Sequence, residues 1–323
     1  MQTTQQMDLE HPIWRMLPLH PQPQRLESLS GYILRLAEAN GLKSVNELAL
    51  LSGLRRGWKD PDYSSILTGR LAWIAGCLSD HLQDMTFYHL ARHFACSPFS
   101  FERMSTFFQG SLAASLRYCP ACLAEQPYYR LSFRFLALAG CDIHGCSLLS
   151  ECGHCGTSLP LLPRRPRIAC CMTCQGDLRT CPLSPLPQQA GVYLESCTRD
   201  LELLLMPAEL APEITSALLQ GSGFLLLRLR RHMSLAEATH LMGKDEQVMR
   251  EIEEGNWSRK ATLTDYWRYT EILGCSLSDV IEAAQIMRSS EDERRLKRLA
   301  ELARLVQMEV AEDLRRSLTE GPG

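Results

Sequence analysis

Between Cys119 and Cys174 the chain repeats one arrangement four times: two metal-binding side chains separated by two residues. The pairs are Cys119 with Cys122, Cys141 with His144, Cys152 with Cys155, and Cys171 with Cys174. A turn of that length presents two donors to one ion, and zinc takes four tetrahedral ligands drawn from thiolate sulfur and imidazole nitrogen. Taken in order, the first two pairs make a three-cysteine, one-histidine site and the last two a four-cysteine site, so two structural Zn2+ ions are expected. Spacing leaves a cross-braced alternative open, first pair with third and second with fourth. Cys170 competes with Cys171 for the last turn, and Cys171 restores the two-residue gap. Cys146 and His154 read as packing or exposed groups, and Cys181 and Cys197 as non-ligands. Gly145 and Gly156 directly follow a ligand, which suits a tight turn.

Four protein ligands leave a zinc ion no open position for water, which argues against hydrolysis at the metal. The sequence offers no carboxylate–histidine pair of hydrolase type and no glycine-rich phosphate loop. The expectation is a protein that is not an enzyme, with metal sites that staple ribbons too small to hold a core.

The rest of the chain must position this cluster. Eleven of the fourteen cysteines fall between Cys119 and Cys197. Such clustering suits a reducing compartment, where metal binding outcompetes disulfides. Cys77, Cys96 and Cys275 lie in apolar surroundings and read as small buried hydrophobes. The 323 residues are 45% hydrophobic and carry a formal net charge of -3, so cores can form and any nucleic-acid contact must come from local basic patches. No apolar run reaches membrane-span length, and the first ten residues lack a signal-peptide layout, so a cytoplasmic protein is expected.

The fold class expected is mainly α with small β-ribbon zinc modules. Residues 1–24 read as an extended, proline-rich segment. Residues 25–115 read as a helical domain: Leu29, Ile33, Leu36 and Ala37 recur at helical spacing, and Asn40-Gly41 stops that helix. Further helices are expected over Val45 to Leu54, Leu67 to Cys77 and Ser79 to Phe94. Residues 116–187 form the double zinc module, residues 188–288 a second helical domain broken at Gly221-Ser222-Gly223, and residues 289–320 an amphipathic helix. Leu299, Leu302, Val306, Val310 and Leu314 mark the stripe of that last helix, which would pack on its own chain or pair two copies as a homodimer.

Within the second helical domain, Ser234 and Glu237 have capping-box spacing. Gly243 sits where a helix pair would bend, and Val248 and Ile252 share an inner face. With Ala238, Glu253, Gly255, Leu273-Gly274 and Ser276-Leu277, these residues resemble the Cro/phage-repressor type of helix-turn-helix over about 223–281. That resemblance implies a recognition helix at about Lys244 to Glu254. Lys244, Gln247 and Arg250 would face bases or phosphates, with Arg230, Arg231, Arg259 and Lys260 as neighbouring candidate DNA contacts alongside Arg228. Asp245, Glu246, Glu251, Glu253 and Glu254 oppose them, so a protein-binding role is equally open.

The N-terminal segment carries Glu27-Ser28-Leu29, Arg35-Leu36-Ala37 and Asn40-Gly41 after a proline-rich lead. Arg117-Tyr118-Cys119-Pro120-Ala121-Cys122-Leu123-Ala124-Glu125 follows, then Cys141-Asp142-Ile143-His144-Gly145 to Leu148, Cys152-Gly153-His154-Cys155-Gly156 and Cys171 to Leu178. This ordered set, from Leu17 to Leu178, resembles the TniQ family of DNA transposition. Two local departures are a missing proline beside Cys141 and a missing tryptophan between the first two pairs, where Phe133 and Phe135 stand instead. The resemblance implies a target-site selector that links target DNA or an RNA-guided CRISPR complex to an AAA+ ATPase and its transposase, often as a dimer. The zinc module would then act as a scaffold between the helical domains. A zinc-containing transcription regulator binding an operator through the Cro-like domain is the alternative.

Overall fold

The computed structural model describes residues 16–53, 60–63, 68–94, 100–186, 188–207, 214, 218, 222–254 and 261–287. These are mainly helical, and the sheet among them is a two-stranded antiparallel ribbon, Gly140–Cys141 with Cys146–Ser147. Two compact units divide the chain: Met1–Thr215 with Arg259–Trp267, and Ser216–Ser258 with Arg268–Gly323. The expected terminal helix, Arg259 and Lys260 lie outside the described residues.

In the first unit the opening helix, Leu29–Ala39, begins where Ser28 Oγ accepts the Gly31 N–H at 3.0 Å. It ends at Asn40, with Gly41 in the left-handed region at φ +64°. Leu29, Ile33, Leu36 and Ala37 are buried, and so are Tyr32 and Leu34, so the helix is enclosed on most sides. Asn40 also holds part of the proline-rich lead: its side chain accepts from Leu19 N–H at 2.9 Å and donates to the Leu19 carbonyl at 2.8 Å. Leu17 donates its N–H to Ile74 and buries its side chain. Glu27 is fully buried and accepts both arms of Arg35, each at 2.7 Å.

The helix expected over Ser79 to Phe94 is broken into Ser79–Gln83 and Tyr88–His93. Its middle is committed elsewhere. The Met85 carbonyl accepts the Leu29 N–H at 2.8 Å, and the Phe87 N–H donates to the Asp62 carbonyl at 2.9 Å. Backbone groups used in this way cannot continue an intrahelical ladder. The neighbouring helices, Val45–Leu51 and Thr68–Ala75, are also shorter than expected.

Residues 129–134 join the N-terminal helices to the cysteine-rich segment. Leu131 N–H donates to Leu26 at 2.7 Å, and Ser28 N–H donates to Tyr129 at 2.8 Å. Arg134 reaches Asp60 at 2.8 Å and also bonds Asp62, whose carboxylate accepts from the Ser30 N–H at 2.7 Å and the Ser30 hydroxyl at 3.0 Å. Asp62 has no exposed surface and Arg134 only 4%. Leu29, Ile33, Leu48 and Ile74 share one hydrophobic core with Tyr118, Leu123, Cys152, Cys171 and Leu178. The N-terminal helices and the cysteine-rich segment are therefore not separate cores.

The second unit contains helices Ser222–Arg230, Leu235–Met242, Glu246–Glu253 and Leu277–Met287, with the C-terminal part of Leu263–Leu273. The expected capping box forms: Ser234 Oγ accepts the Glu237 N–H at 3.1 Å, and Glu237 accepts the Ser234 N–H at 2.7 Å. Gly243, at φ +64°, turns the chain into Glu246–Glu253. Inside the unit Arg228 forks onto Glu253 at 2.6 and 2.8 Å, and the Tyr269 hydroxyl donates to the same carboxylate. Phe224 stacks on Tyr269 with 5.3 Å between ring centroids. Of the break expected at residues 221–223, residue 221 lies outside the described residues, and Ser222 and Gly223 open the helix Ser222–Arg230. Gly223 lies within it because a Cβ there would stand 2.1 Å from the Val280 carbonyl oxygen.

Two substitutions test these packings. Arg134→Ala strands the Asp62 carboxylate in the core and should cost about 3–5 kcal/mol, read as a lower urea midpoint of the full chain; a wild-type midpoint would mean that this tie contributes little. Gly223→Ala should force its helix away from Leu277–Met287 at a cost of about 1–3 kcal/mol. Amide exchange over 222–287 should then accelerate, with residues 29–39 unchanged.

Candidate metal centres

Three of the four ligand turns share one backbone device. The residue after the second donor is left-handed: Gly145 at φ +57°, Gly156 at +69° and Gln175 at +59°. Each donates its N–H back to the carbonyl of the turn's first cysteine, at 2.9, 2.8 and 3.0 Å respectively. The turn at Cys119 differs, because Pro120 starts the helix Pro120–Glu125 and carries Cys122 on its first turn.

The eight donors gather in two groups, Cys119, Cys122, Cys141 and His144, and Cys152, Cys155, Cys171 and Cys174, each with its ligand atoms within 4.8 Å of one another. This is the in-order grouping of the pairs. A tetrahedral zinc with its usual bond lengths has sulfur–sulfur edges of about 3.8 Å and sulfur–nitrogen edges of about 3.5 Å. The first group has Cys122 and Cys141 sulfurs 3.5 Å apart, and His144 Nδ1 at 3.6, 3.3 and 3.5 Å from Cys119, Cys122 and Cys141. In the second, Cys152 to Cys174 and Cys155 to Cys171 are both 3.7 Å. Donor type and spacing both fit zinc.

Neighbouring groups orient these donors. His144 Nε2 lies 3.0 Å from Glu125 Oε1. A carboxylate accepts, so Nε2 carries the proton and the Nδ1 lone pair points at the sulfurs. Glu125 closes the motif around Cys119 and Cys122, and the sequence alone assigns it no role; its signal is its place three residues after Cys122, on the same helix face. Asp142, between two donors, accepts from Arg130 at 2.7 Å. Beside the second group, Ala169 N–H donates to the Tyr129 hydroxyl at 3.1 Å. Cys146 is buried with its sulfur 3.5 Å from that of Cys119 but is not one of the four gathered donors. His154 turns away to the Asp177 carbonyl at 2.9 Å. Cys170 faces the carbonyls of Cys171 and Gln175.

The thiols of each group do not ionise alike. Hydrogen bonding with Cys122 and Cys141 holds Cys119 far below its ordinary value, and the shared contact with Cys119 pushes Cys122 up. In the second group burial pushes Cys152 up to about 12, whereas the Thr157 hydroxyl beside Cys155 holds that thiol down at about 6. A dication among four thiolates relieves their mutual repulsion and favours ionisation of them all.

The candidate DNA contacts are placed differently. Arg250 is bound by Glu246 one turn earlier on its own helix, and Gln247 donates to Glu251 at 3.1 Å. Lys244 is half-buried in the turn before that helix. Arg230 and Arg231 are exposed, and Arg231 donates to the Gly274 carbonyl at 3.2 Å.

A mainly helical protein with two clustered four-donor centres is the class that fold and site define. Residues 18–148 match the model of the TniQ family, a family of transposition-associated proteins. No curated protein matches the chain. No helix among the described residues is long and apolar enough to cross a membrane.

Purified protein should carry two zinc ions per chain by elemental analysis. Cys119→Ser or Cys152→Ser should remove one and unfold its surroundings, whereas Cys146→Ser should retain both. Glu125→Gln should weaken one of the two sites by about 10–100-fold in competition with a chelator. Full zinc content in both Cys→Ser variants would refute the ligand assignment.

Proposed function

We propose that this protein is a target-site selector of DNA transposition: a non-enzymatic adaptor, held by two structural zinc ions, that links target DNA or an RNA-guided CRISPR complex to an AAA+ ATPase and its transposase. The observation that carries the reading is the TniQ match, which runs through the whole first four-donor group. The matched helices also share their core with residues of the second group. Bound zinc supplies a closed cross-link with no free coordination position. The side chains around it do the rest: Glu125 orients His144, Arg130 neutralises Asp142, and Tyr129 fixes the approach to Cys171.

The Cro-like helix pair of the second unit supports docking onto a partner more than reading of bases. Glu246 and Glu251 already engage Arg250 and Gln247, Glu253 is buried in the Arg228 fork, and the exposed Asp245 and Glu254 add negative charge that disfavours phosphates. An operator-binding transcription regulator is the second reading, favoured by the capped helix pair around Gly243.

The zinc-loaded protein should bind random and native flanking duplexes alike, weakly and with steep salt dependence, and should retain an AAA+ ATPase of transposition in a pull-down. Tight binding to one sequence, lost in a Lys244→Ala, Gln247→Ala, Arg250→Ala variant and accompanied by no ATPase retention, would replace the adaptor with the regulator.

A further inference from the structure

One charged feature of the first unit has no part in metal binding. The loop between the two turns of the second four-donor group reads Leu161-Leu162-Pro163-Arg164-Arg165-Pro166-Arg167-Ile168. Its apolar residues face inward: Leu161, Leu162 and Ile168 pack against the core, and Pro163 and Pro166 are buried. Its two ends are pinned. Leu116 N–H donates to the Leu159 carbonyl at 2.8 Å, Ile168 N–H donates to Glu38 at 3.1 Å, and Arg167 N–H closes a turn onto Arg165 at 3.0 Å. Arg164, Arg165 and Arg167 are what remains outside; all three are exposed, and none has an ion-pair or hydrogen-bonded side-chain partner among the described residues.

The surroundings make this more than scattered surface charge. No Asp or Glu occurs from Gly156 to Gly176, in a chain whose formal net charge is -3. Of the nearby acids, Glu38 is occupied by the Ile168 N–H, and Asp177 is paired with Arg179 at 2.8 Å. Two prolines limit the backbone freedom that binding would otherwise have to remove. Three guanidiniums are thus held ready on a firm base.

We propose that this loop is a contact surface for the phosphate backbone of duplex DNA. The span from Arg164 to Arg167 covers at most about 10 Å of chain, over which one strand of a duplex carries about three phosphates. Guanidinium forks match phosphate oxygens in pairs. The loop carries no aromatic side chain on which an unpaired base could stack, which favours duplex over single strand. This surface deepens the adaptor reading and rests on it only in that the protein holds target DNA. The contact is sequence-independent, so it would anchor the protein on DNA chosen by other means.

The test compares the full-length zinc-loaded protein with Arg164→Ala, Arg165→Ala, Arg167→Ala and with the matching triple lysine variant, on a random 30-base-pair duplex and a 30-nucleotide single strand across a salt series. The alanine variant should keep two zinc ions and its wild-type circular dichroism. Its duplex affinity should fall about tenfold or more at low salt, with a log–log salt slope shallower by about 2–3, and the lysine variant should recover most of that slope. Wild-type affinity and slope in the alanine variant would overturn the proposal. So would a loss confined to the single strand, or duplex binding unchanged with loss of a protein partner. ATPase retention in the same preparations separates the two ideas: retention with an unchanged slope sinks the loop alone, and a reduced slope without retention sinks the adaptor alone.

Discussion

The short segment 129–134 is tied to the start of the opening helix and to both four-donor groups, and the ties differ in kind. Its backbone pairs with residues 26–28, just before the opening helix, so the start of that helix is set by a segment far along the chain. Arg134 binds Asp62, which also holds Ser30 in the first turn of the same helix. Arg130 reaches the first four-donor group through Asp142, and Tyr129 reaches the second through Ala169. A buried carboxylate such as Asp62 is tolerated only when its charge and lone pairs are met. The segment can therefore sit in one register, and the two donor groups and the N-terminal helices inherit their positions from it.

The unit divides its stabilisation between two sources. Helices Leu29–Ala39 and Thr68–Ala75 bury enough aliphatic surface to form a core by ordinary hydrophobic burial. The ribbons and turns of 140–180 do not, and two-residue strands have little stability alone. Filled with metal, the four-donor groups would compensate by fixing several backbone segments at once. In the second unit the described residues are helical, and the Arg228–Glu253 fork and the stacked Phe224 and Tyr269 lie among them.

Local chemistry was readable from the chain, and long-range chemistry was not. The eight donors gathered by the fold are those at two-residue spacing, since a ligand turn is a local object. Asn40-Gly41 and the Ser234–Glu237 capping box mark helix ends for the same reason. The interruption at residues 84–87 was hidden because Met85 and Phe87 bond to Leu29 and Asp62, and no nearby residue reports that. Gly223 looked like a breaker, but its missing side chain makes room for the Val280 carbonyl. The role of Glu125 was illegible because its partner, His144, is 19 residues away. The single core shared by helices and ligand turns was also illegible, because composition shifts sharply near residue 116 while packing continues across it.

That shared core has a consequence for biosynthesis. The chain leaves the ribosome from its N-terminus, so Leu29, Ile33 and Leu36 emerge well before Tyr118, Cys171 and Leu178, against which their cluster closes. During that interval the opening helix has a capped start and a terminating glycine but an incomplete set of partners, and its apolar surface is open to chaperones. Maturation of the helices is thereby coupled to arrival of the last ligand turn. A truncation before Cys174 would leave the nascent N-terminal part unfinished as well as the segment it removes.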